Sequence, residues 1–256
     1  MSDQQTQNLP EKFIERLQLI YPERFPEVLD AMSKPTTISF RLNPLQADPK
    51  QTYQQLITAG FQLQPVTQFP NTYQLIDNAK RTLTDSDYFQ KGQLYLQNLS
   101  SMLPALALEL QPDDLVLDLA AAPGSKTSQI ASLMNNQGLI IANDLSKARI
   151  FQLARVLNQL GVTNTKTSLF PGEKIWQRYP NYFEKSLVDA PCSMEGMFKS
   201  YDPKTYDHWS PKKVKLLSQR QKYLLRSAIS ATKPGGIIVY STCTISPEEN
   251  ELVIDW

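Results

Sequence analysis

The second half of the chain alternates short strand-like runs with longer amphipathic ones. Strand character occurs at residues 115–120, 139–144, 165–169, 186–190 and 236–242, and helical periodicity starts near Ser125 and covers 146–160 and about 211–231. Strands and helices that alternate at such intervals are typical of βαβ units, which form a parallel sheet covered by helices on both faces. We therefore predict an α/β fold whose ligands bind at the carboxyl ends of the strands.

The first part of the chain has a different pattern, rich in Gln, Pro and Thr. Periodicity predicts helices at 11–20 and 23–32 and a strand at 37–43. Pro44 and Pro49 then interrupt the chain before a short helix that ends near Ala59. We predict a small α+β subdomain over residues 1–90 and a catalytic domain over residues 91–256.

Composition restricts the class of protein. The 256 residues are 41% hydrophobic and 20% charged, with a net charge of +1, which is typical of a globular protein with an apolar core. Residues 1–13 lack the features of a leader, and no apolar run approaches the roughly 20 residues that span a bilayer. We expect a cytoplasmic monomer that does not associate with membranes.

The inventory of reactive residues is short. A single histidine, His208, excludes the common Cys/His zinc sites and disfavours a Ser-His-Asp triad, so we expect no metal. In the cytoplasm the two cysteines, Cys192 and Cys243, are expected to be reduced thiols. Polar and turn-forming neighbours such as Pro191 and Thr244 make poor core surroundings, so a reactive role is favoured over packing or a disulfide.

The stretch "LDLAAAPGSKTSQIA" follows the first predicted strand of the parallel sheet. Its small residues let a ligand approach the backbone, and the helix that begins near Ser125 offers free N–H groups to an anion. A phosphate-binding P-loop would need glycine at 120 and 125, where Ala120 and Ser125 stand, and the dinucleotide pattern G-x-G-x-x-G is also absent. These departures exclude an ATPase.

The next strand ends in "ANDLSKAR", which places Asp144 at its carboxyl end. A carboxylate in this position can bind both hydroxyls of a ribose. It can equally cap the helix that follows. The residues alone leave both interpretations open.

Four stretches in this order, "LDLAAAPGSKT", "ANDLSKAR", "LVDAPCSMEGMF" and "YSTCTISPEENE", resemble motifs of the Sun/RsmB/RsmF family of S-adenosylmethionine-dependent RNA (cytosine-5) methyltransferases. The stretch "PTTISFRLNPL" is similar to the N-terminal part of that family, and the whole looks closest to its bacterial RsmF-like ribosomal RNA enzymes. The resemblance covers residues 10–256. It implies a Rossmann-like class I methyltransferase sheet.

The resemblance also implies roles for individual residues. Cys243 would be the nucleophile that adds to carbon 6 of cytosine, and Cys192 would assist proton removal and product release. Asp189 would bind the cytosine edge or face the cofactor, and Lys126 would add positive charge. S-adenosylmethionine would be held by Ala120, Ala121, Ala122, Pro123, Gly124, Ser125 and Lys126, with Asp144 on the ribose and Asp189 lining the pocket.

RNA is the implied partner, with ribosomal RNA favoured and transfer RNA as the alternative. The predicted helix over 211–231 and its surroundings carry seven basic residues, which are Lys212, Lys213, Lys215, Arg220, Lys222, Arg226 and Lys233. They are interpreted either as phosphate contacts or as the solvated face of an amphipathic helix. Tyr201, Tyr206, His208 and Trp209 are candidates for stacking on bases or for packing, and Arg41 is a candidate RNA contact.

This sequence departs from the family at several positions. Alanine replaces cysteine at Ala120, and serine replaces glycine at Ser125. Pro171 stands where the family has an aspartate that accepts from the adenine amine, and Met194 stands where it has glycine. We expect weakened cofactor affinity from the last two.

The chain also stops before the two strands that complete the family's sheet, which would leave the run at 236–242 as an apolar edge. We expect a fragment of a longer product, or else a decayed paralogue. The departures leave a catalytically weakened or inactive RNA-binding paralogue as the alternative to an active enzyme. A methyltransferase with another substrate is disfavoured by the placement of the two cysteines.

Overall fold

The computed structural model describes residues 9–76 and 79–256. The first eight residues, which contribute to the prediction of a chain without a leader, lie outside the described residues. Contacts divide the chain into two units. The first comprises Met1–Thr36, Ala190–Tyr223 and Ser241–Trp256, and the second comprises Thr37–Asp189 and Leu224–Tyr240. The functional boundary near residue 90 stays a prediction.

The described residues form ten helices and nine strands. The helices are α1 (Glu11–Ile20), α2 (Phe25–Ser33), α3 (Pro49–Thr58), α4 (Lys80–Asp85), α5 (Asp87–Gln90), α6 (Leu99–Leu106), α7 (Ser125–Leu133), α8 (Lys147–Gln159), α9 (Pro211–Ala231) and α10 (Glu251–Ile254). The strands are β1 (Ser39–Leu42), β2 (Leu63–Pro65), β3 (Thr72–Leu75), β4 (Leu94–Leu96), β5 (Leu115–Asp118), β6 (Leu139–Asp144), β7 (Thr165–Leu169), β8 (Phe183–Asp189) and β9 (Thr232–Ser241). Short 3₁₀ helices span Gly172–Gln177, Glu195–Met197, Pro203–Thr205 and Pro247–Glu249.

Five strands form one sheet in the order β7-β6-β5-β8-β9. The pairs β5–β6, β5–β8 and β6–β7 are parallel. Val116 and Leu117 are both fully buried, and neighbouring residues of a strand point to opposite faces, so both faces of β5 are covered. The predicted α/β fold with a covered parallel sheet is confirmed.

The bounds of the predicted elements agree closely with this sheet. The ranges of β6, β7 and α9 coincide with the predictions, and α8 lies within one residue of its predicted ends. β8 begins at Phe183 rather than at Ser186. α7 packs on the sheet through Ile130, Ala131 and Met134, and α8 packs through Leu153 and Leu157.

A second, antiparallel sheet has the order β2-β3-β1-β4. It encloses its own core of buried residues, which are Phe40, Leu42, Leu56, Phe61, Leu75, Leu83 and Leu94. Together with α3 it has the predicted α+β character, although only β1 was predicted as a strand. β1 lies within the longer strand-like run 37–43, whereas the other three strands have three or four residues in runs rich in Gln and Pro or next to a helix, where no alternation is evident.

The first unit has a separate core around Phe13 of α1. The Phe13 ring centroid lies 4.9 Å from that of Phe198 and 5.5 Å from that of Trp209. Trp209 and Tyr206 are buried in this cluster. The interpretation that these two rings stack on RNA bases is therefore wrong, because the apolar core of α1 and α2 takes them up.

Over residues 9–76 and 79–256, no helix has the length and apolar character required to cross a membrane.

Candidate active site

The loop after β5 lies between two neighbouring strands of the parallel sheet. Leu119 donates its N–H to the carbonyl of Leu187 at 3.0 Å, and Ala121 donates to Asn143 at 2.8 Å. Strand pairing thus extends past the end of β5 on both sides before the chain turns into α7. The predicted cofactor loop, Ala120 to Lys126, therefore lies at the carboxyl edge of the sheet, where ligands bind in this class of fold.

Gly124 ends this loop with a backbone that other residues rarely adopt. Its φ is +110°, and a Cβ at this position would lie 2.9 Å from Cδ1 of Leu153. Gly124 is also the N-cap of α7, and no side chain among the described residues caps the helix there. The first N–H groups of α7 are therefore available to an anionic group.

Asp118, at the end of β5, is a buried carboxyl group under this loop. Thr127 donates its hydroxyl to Oδ2 of Asp118 at 2.7 Å. Oδ1 is buried and has no hydrogen-bond partner among the described residues. Burial raises the pKa of Asp118 to about 7, because desolvation disfavours the charged form.

Asp144 shapes the turn between β6 and α8. Its Oδ1 accepts the N–H of Ser146 at 3.0 Å, and its Oδ2 accepts the N–H of Ala122 at 3.3 Å. The cap of α8 is Ser146, whose hydroxyl accepts from the Arg149 N–H at 3.4 Å. Asp144 therefore supports the cap without forming it. Its carboxylate also lies 3.4 Å from Nη1 of Arg149, a partner that the sequence analysis did not identify.

Lys126 and Asp189 form an ion pair between the first loop and the end of β8. The Nζ–Oδ2 distance is 2.6 Å, and the side chains are 13% and 34% exposed. The structure therefore brings together these two predicted site residues. Lys126 was expected to add positive charge to the pocket as a whole. In the structure its ammonium group pairs with the single carboxylate of Asp189.

The two cysteines are adjacent within the first unit. Their Sγ atoms lie 3.2 Å apart, and Cys243 donates its backbone N–H to Sγ of Cys192 at 3.3 Å. Cys243 is exposed and Cys192 is half-buried. The hydrogen bond with Cys243, followed by burial, raises the pKa of Cys192. Because burial disfavours a charged thiolate, ionisation is easier at the exposed Cys243 than at the half-buried Cys192.

Backbone contacts hold the two cysteine loops side by side. Ala190 donates its N–H to Ser241 at 2.9 Å, and Gly196 donates to the carbonyl of Cys243 at 3.0 Å. A Cβ at Gly196 would lie 3.0 Å from that carbonyl oxygen. Met194 adopts a left-handed backbone with φ +64°, and its side chain is 44% exposed. The position thus has the conformation that glycine favours.

Other candidates lie elsewhere. Arg41 is 4% exposed and donates to Gln97 Oε1 at 2.9 Å and to Ser128 Oγ at 2.6 Å, so its interpretation as an RNA contact is wrong. Pro171 precedes the 3₁₀ helix Gly172–Gln177 and has no side-chain acceptor. On α9, the side chains of Lys212, Lys215 and Arg226 are exposed. Lys233 lies in β9 and pairs with Glu184.

Comparisons with known proteins cover both parts of the chain. Residues 105–256 match the family model described as 16S rRNA methyltransferase RsmB/F. Residues 9–99 match the model of the N-terminal domain of 16S rRNA methyltransferase RsmF.

Curated relatives extend well beyond this chain. The ribosomal RNA small subunit methyltransferase F of Pectobacterium carotovorum is 36% identical over an alignment of 255 residues, and the match covers 97% of this chain and 52% of that protein. The protein of the same name from Vibrio cholerae is 38% identical over 251 residues, with coverages of 96% and 53%. The chain thus spans about half the length of the curated relatives it matches.

Two solved structures have the same fold. A methyltransferase homolog protein from Pyrococcus horikoshii has a TM-score of 0.86 and 33% identity, and the match covers 100% of this chain and 82% of that one. NSun6 from Pyrococcus horikoshii, solved with SFG, has a TM-score of 0.86 at 23% identity, with coverages of 97% and 86%. The expected Rossmann-like sheet is thereby confirmed.

Proposed function

Because the chain belongs to the 16S rRNA methyltransferase RsmB/F family, we propose that it methylates carbon 5 of a cytosine in RNA, with S-adenosylmethionine as donor. Ribosomal RNA is the favoured substrate and transfer RNA the alternative. The observation that carries the proposal is the 3.2 Å separation of the Cys192 and Cys243 sulfur atoms. Methylation at carbon 5 needs a thiol nucleophile and a second group that handles a proton.

The residues of the second unit fit S-adenosylmethionine. Among the described residues, Asp118 has one buried oxygen without a partner, and no side chain caps the start of α7. A carboxylate suits the uncapped helix start, and acidic side chains suit the cationic part of the cofactor. We assign Ala120 to Lys126 to the methionine moiety, Asp144 to the ribose, and Asp189 to the pocket wall. When bound, the cofactor would supply an electrophilic methyl group.

Cys243 would attack the base. Carbon 5 of cytosine is a poor nucleophile, and addition of a thiolate at carbon 6 converts the ring into an enamine that is nucleophilic at carbon 5. Cys243 is the more exposed sulfur, and burial penalises a thiolate there less than at Cys192. Both properties favour Cys243 as the attacking group.

Cys192 would complete the reaction. Once carbon 5 carries the methyl group, its proton must leave and Cys243 must be eliminated from carbon 6. Cys192 lies next to Cys243 and can hold or move a proton at Sγ. Asp189, paired with Lys126, would accept a hydrogen bond from the cytosine edge or face the cofactor. No metal takes part in this proposal, and we assign the protein to the cytoplasm as a monomer.

The alternative is a weakened or inactive RNA-binding paralogue. It is favoured by Pro171, which offers no acceptor to the adenine amine. Calorimetric titration with S-adenosylmethionine separates the active enzyme from this alternative, because the alternative predicts no measurable binding. A dissociation constant in the low-micromolar range would contradict the expectation of weakened cofactor affinity.

The test of the proposal is methyl transfer to 16S ribosomal RNA and to transfer RNA, with 5-methylcytosine measured in the digested product. Cys243→Ser should abolish transfer, because a hydroxyl is a much weaker nucleophile than a thiolate. Cys192→Ala should accumulate a covalent protein–RNA adduct that survives denaturation. A Cys243→Ser protein that still forms 5-methylcytosine would refute the proposed attack.

A further inference from the structure

The residues that follow the two cysteines are linked to each other in the first unit. Ser193 follows Cys192 and Thr244 follows Cys243, and their hydroxyl oxygens lie 2.7 Å apart. Each of these residues is also bound by a buried glutamate from the opposite loop. Thr244 is bound by Glu195, and Ser193 is bound by Glu249.

Glu195 reaches from the Cys192 loop into the Cys243 loop. Thr244 donates its hydroxyl to Oε2 of Glu195 at 2.9 Å, and the Ser246 hydroxyl lies 2.8 Å from both carboxylate oxygens. Trp209 donates Nε1–H to Oε1 at 2.8 Å. Because the Thr244 hydrogen is used for Glu195, Ser193 must donate to Thr244. The Glu195 carboxylate therefore determines which hydroxyl donates and which accepts in the hydrogen bonds that link the two loops.

Glu249 provides the reciprocal link from the Cys243 loop. Its Oε2 accepts the Ser193 N–H at 3.0 Å and Nε2–H of Gln221 at 2.8 Å. Gln221 also donates to the carbonyl of Pro191 at 2.9 Å, on the other side of Cys192. The backbone on both sides of Cys192 is thus held by one buried pair of side chains.

Burying these carboxylates costs folding free energy that apolar side chains in the same positions would not cost. Glu195 is 1% exposed and Glu249 is fully buried. Buried carboxylates destabilise a fold unless several hydrogen bonds compensate for lost hydration, and apolar residues of similar size would pack at lower cost. The burial of both carboxylates between the two cysteine loops therefore points to a role in placing these loops.

We propose that Glu195 and Glu249 are positioning residues that hold the thiols of Cys192 and Cys243 at the separation needed for one thiol to attack while the other retains the proton. The inference rests on the proposed function for its catalytic meaning. The positioning itself is a property of the free protein, and it can be measured without RNA or cofactor.

The experiment measures how readily the two thiols pair. One protein dithiol and one oxidised glutathione give one intramolecular disulfide and two reduced glutathione molecules, and the equilibrium constant reports how well the sulfur atoms are held together. Glu195→Gln and Thr244→Val should each lower this constant by about tenfold, the loss expected when a hydrogen bond to a charged group is broken. Glu249→Gln should have a similar effect.

Two further variants separate positioning from stability. Thr244→Ser keeps the hydroxyl, so its equilibrium constant for disulfide formation should lie within about twofold of that of the original protein. Thr205→Val is the matched control, because among the described residues the Thr205 hydroxyl accepts the Lys199 N–H at 3.0 Å and donates to the Asp202 carbonyl at 2.7 Å, with no hydrogen bond to either glutamate. It should lower the melting temperature and leave the constant within about twofold.

The proposal would be overturned if folded Glu195→Gln and Thr244→Val both retained the original constant, since the carboxylates would then only stabilise the loops. It would also be overturned if Thr244→Ser behaved like Thr244→Val, or if the unmodified protein formed no disulfide. A protein that passes these tests but transfers no methyl group would contradict the proposed function and leave the positioning intact.

Discussion

Cys243 donates its backbone N–H to the sulfur of Cys192, and the two sulfur atoms lie 3.2 Å apart. Cys192 is half-buried and Cys243 is exposed. Because burial disfavours a thiolate, the exposed sulfur should ionise first. The order of ionisation can therefore be tested without any substrate.

Limiting iodoacetamide at pH 8 should alkylate Cys243 before Cys192, because the thiolate is the reactive form and the pKa of Cys192 is raised by its partner and by burial. Peptide mass spectrometry measures the two rates. In Cys243→Ser the charged partner is lost, so the pKa of Cys192 should fall and its alkylation should accelerate. Equal labelling of both cysteines in the folded protein would contradict this assignment, and the denatured protein is the control.

Asp118→Asn should change how stability depends on pH. The pKa of Asp118 is about 7 when folded, against 3.8 for a free side chain. Between these values the unfolded chain loses a proton that the folded chain keeps, so Asp118 lowers stability by up to about 1.4 kcal/mol per pH unit as pH rises. Below this window the group makes no such contribution, and above it the loss is complete.

Urea unfolding between pH 4 and pH 8 measures this effect. The stability of Asp118→Asn relative to the unmodified protein should increase with pH across the window. Thr127→Val removes a hydrogen bond that lowers the pKa of Asp118, so it should move the upper end of the window to higher pH. Parallel stability curves for Asp118→Asn and the unmodified protein would show that Asp118 is ionised throughout.

Gly124→Ala should weaken binding of S-adenosylmethionine and destabilise the protein. Two costs combine there, namely the positive φ and a Cβ 2.9 Å from Leu153. Gly60→Ala is the matched control, because Gly60 has φ +92° and nothing within 4 Å of the added Cβ. The control should cost about 1 kcal/mol from the backbone alone, and Gly124→Ala should exceed it. Equal losses in urea unfolding would show that Leu153 yields to the methyl group.

Met194→Gly should leave the protein as stable as before or slightly more stable. A left-handed backbone costs a residue with a side chain about 1 kcal/mol, which offsets the extra freedom that glycine gains in the unfolded chain. Thermal unfolding measures the balance. Since Met194 lies two residues after Cys192, the variant should also make Cys192 more accessible to alkylation. A marked fall in melting temperature would mean that the side chain contributes to packing.

The parallel sheet could be predicted from the sequence because most of its strands are apolar runs separated by segments of clear helical periodicity. β6, at Leu139–Asp144, combines an apolar run with a terminal carboxylate, and both features were visible in the letters. The short strand Leu63–Pro65 offers neither a period nor a composition that separates it from a loop. Such a strand forms because it pairs with a neighbouring strand of the antiparallel sheet.

The candidate site was predictable wherever a motif carried it. The resemblance to the family implied the roles of Cys192, Cys243 and Asp189, and Asp144 was identified from its position at the end of β6. Glu195 was not, because a glutamate beside a turn usually faces water. Only the structure shows that Trp209 supplies its buried partner. Because the sequence does not show this contact, Trp209, an aromatic residue in a loop, was open to interpretation as a base-stacking side chain.

Arg41 has a consequence for how this family can be rearranged. Its guanidinium joins Gln97, which follows β4, to Ser128 of α7, and it is almost fully shielded from water. Recombination that joined the antiparallel sheet of this chain to the α7 segment of another protein would leave the Arg41 charge without its partners. Evolutionary exchange should therefore move the two segments together, and chimaeras made near residue 90 should need matched residues at positions 41, 97 and 128.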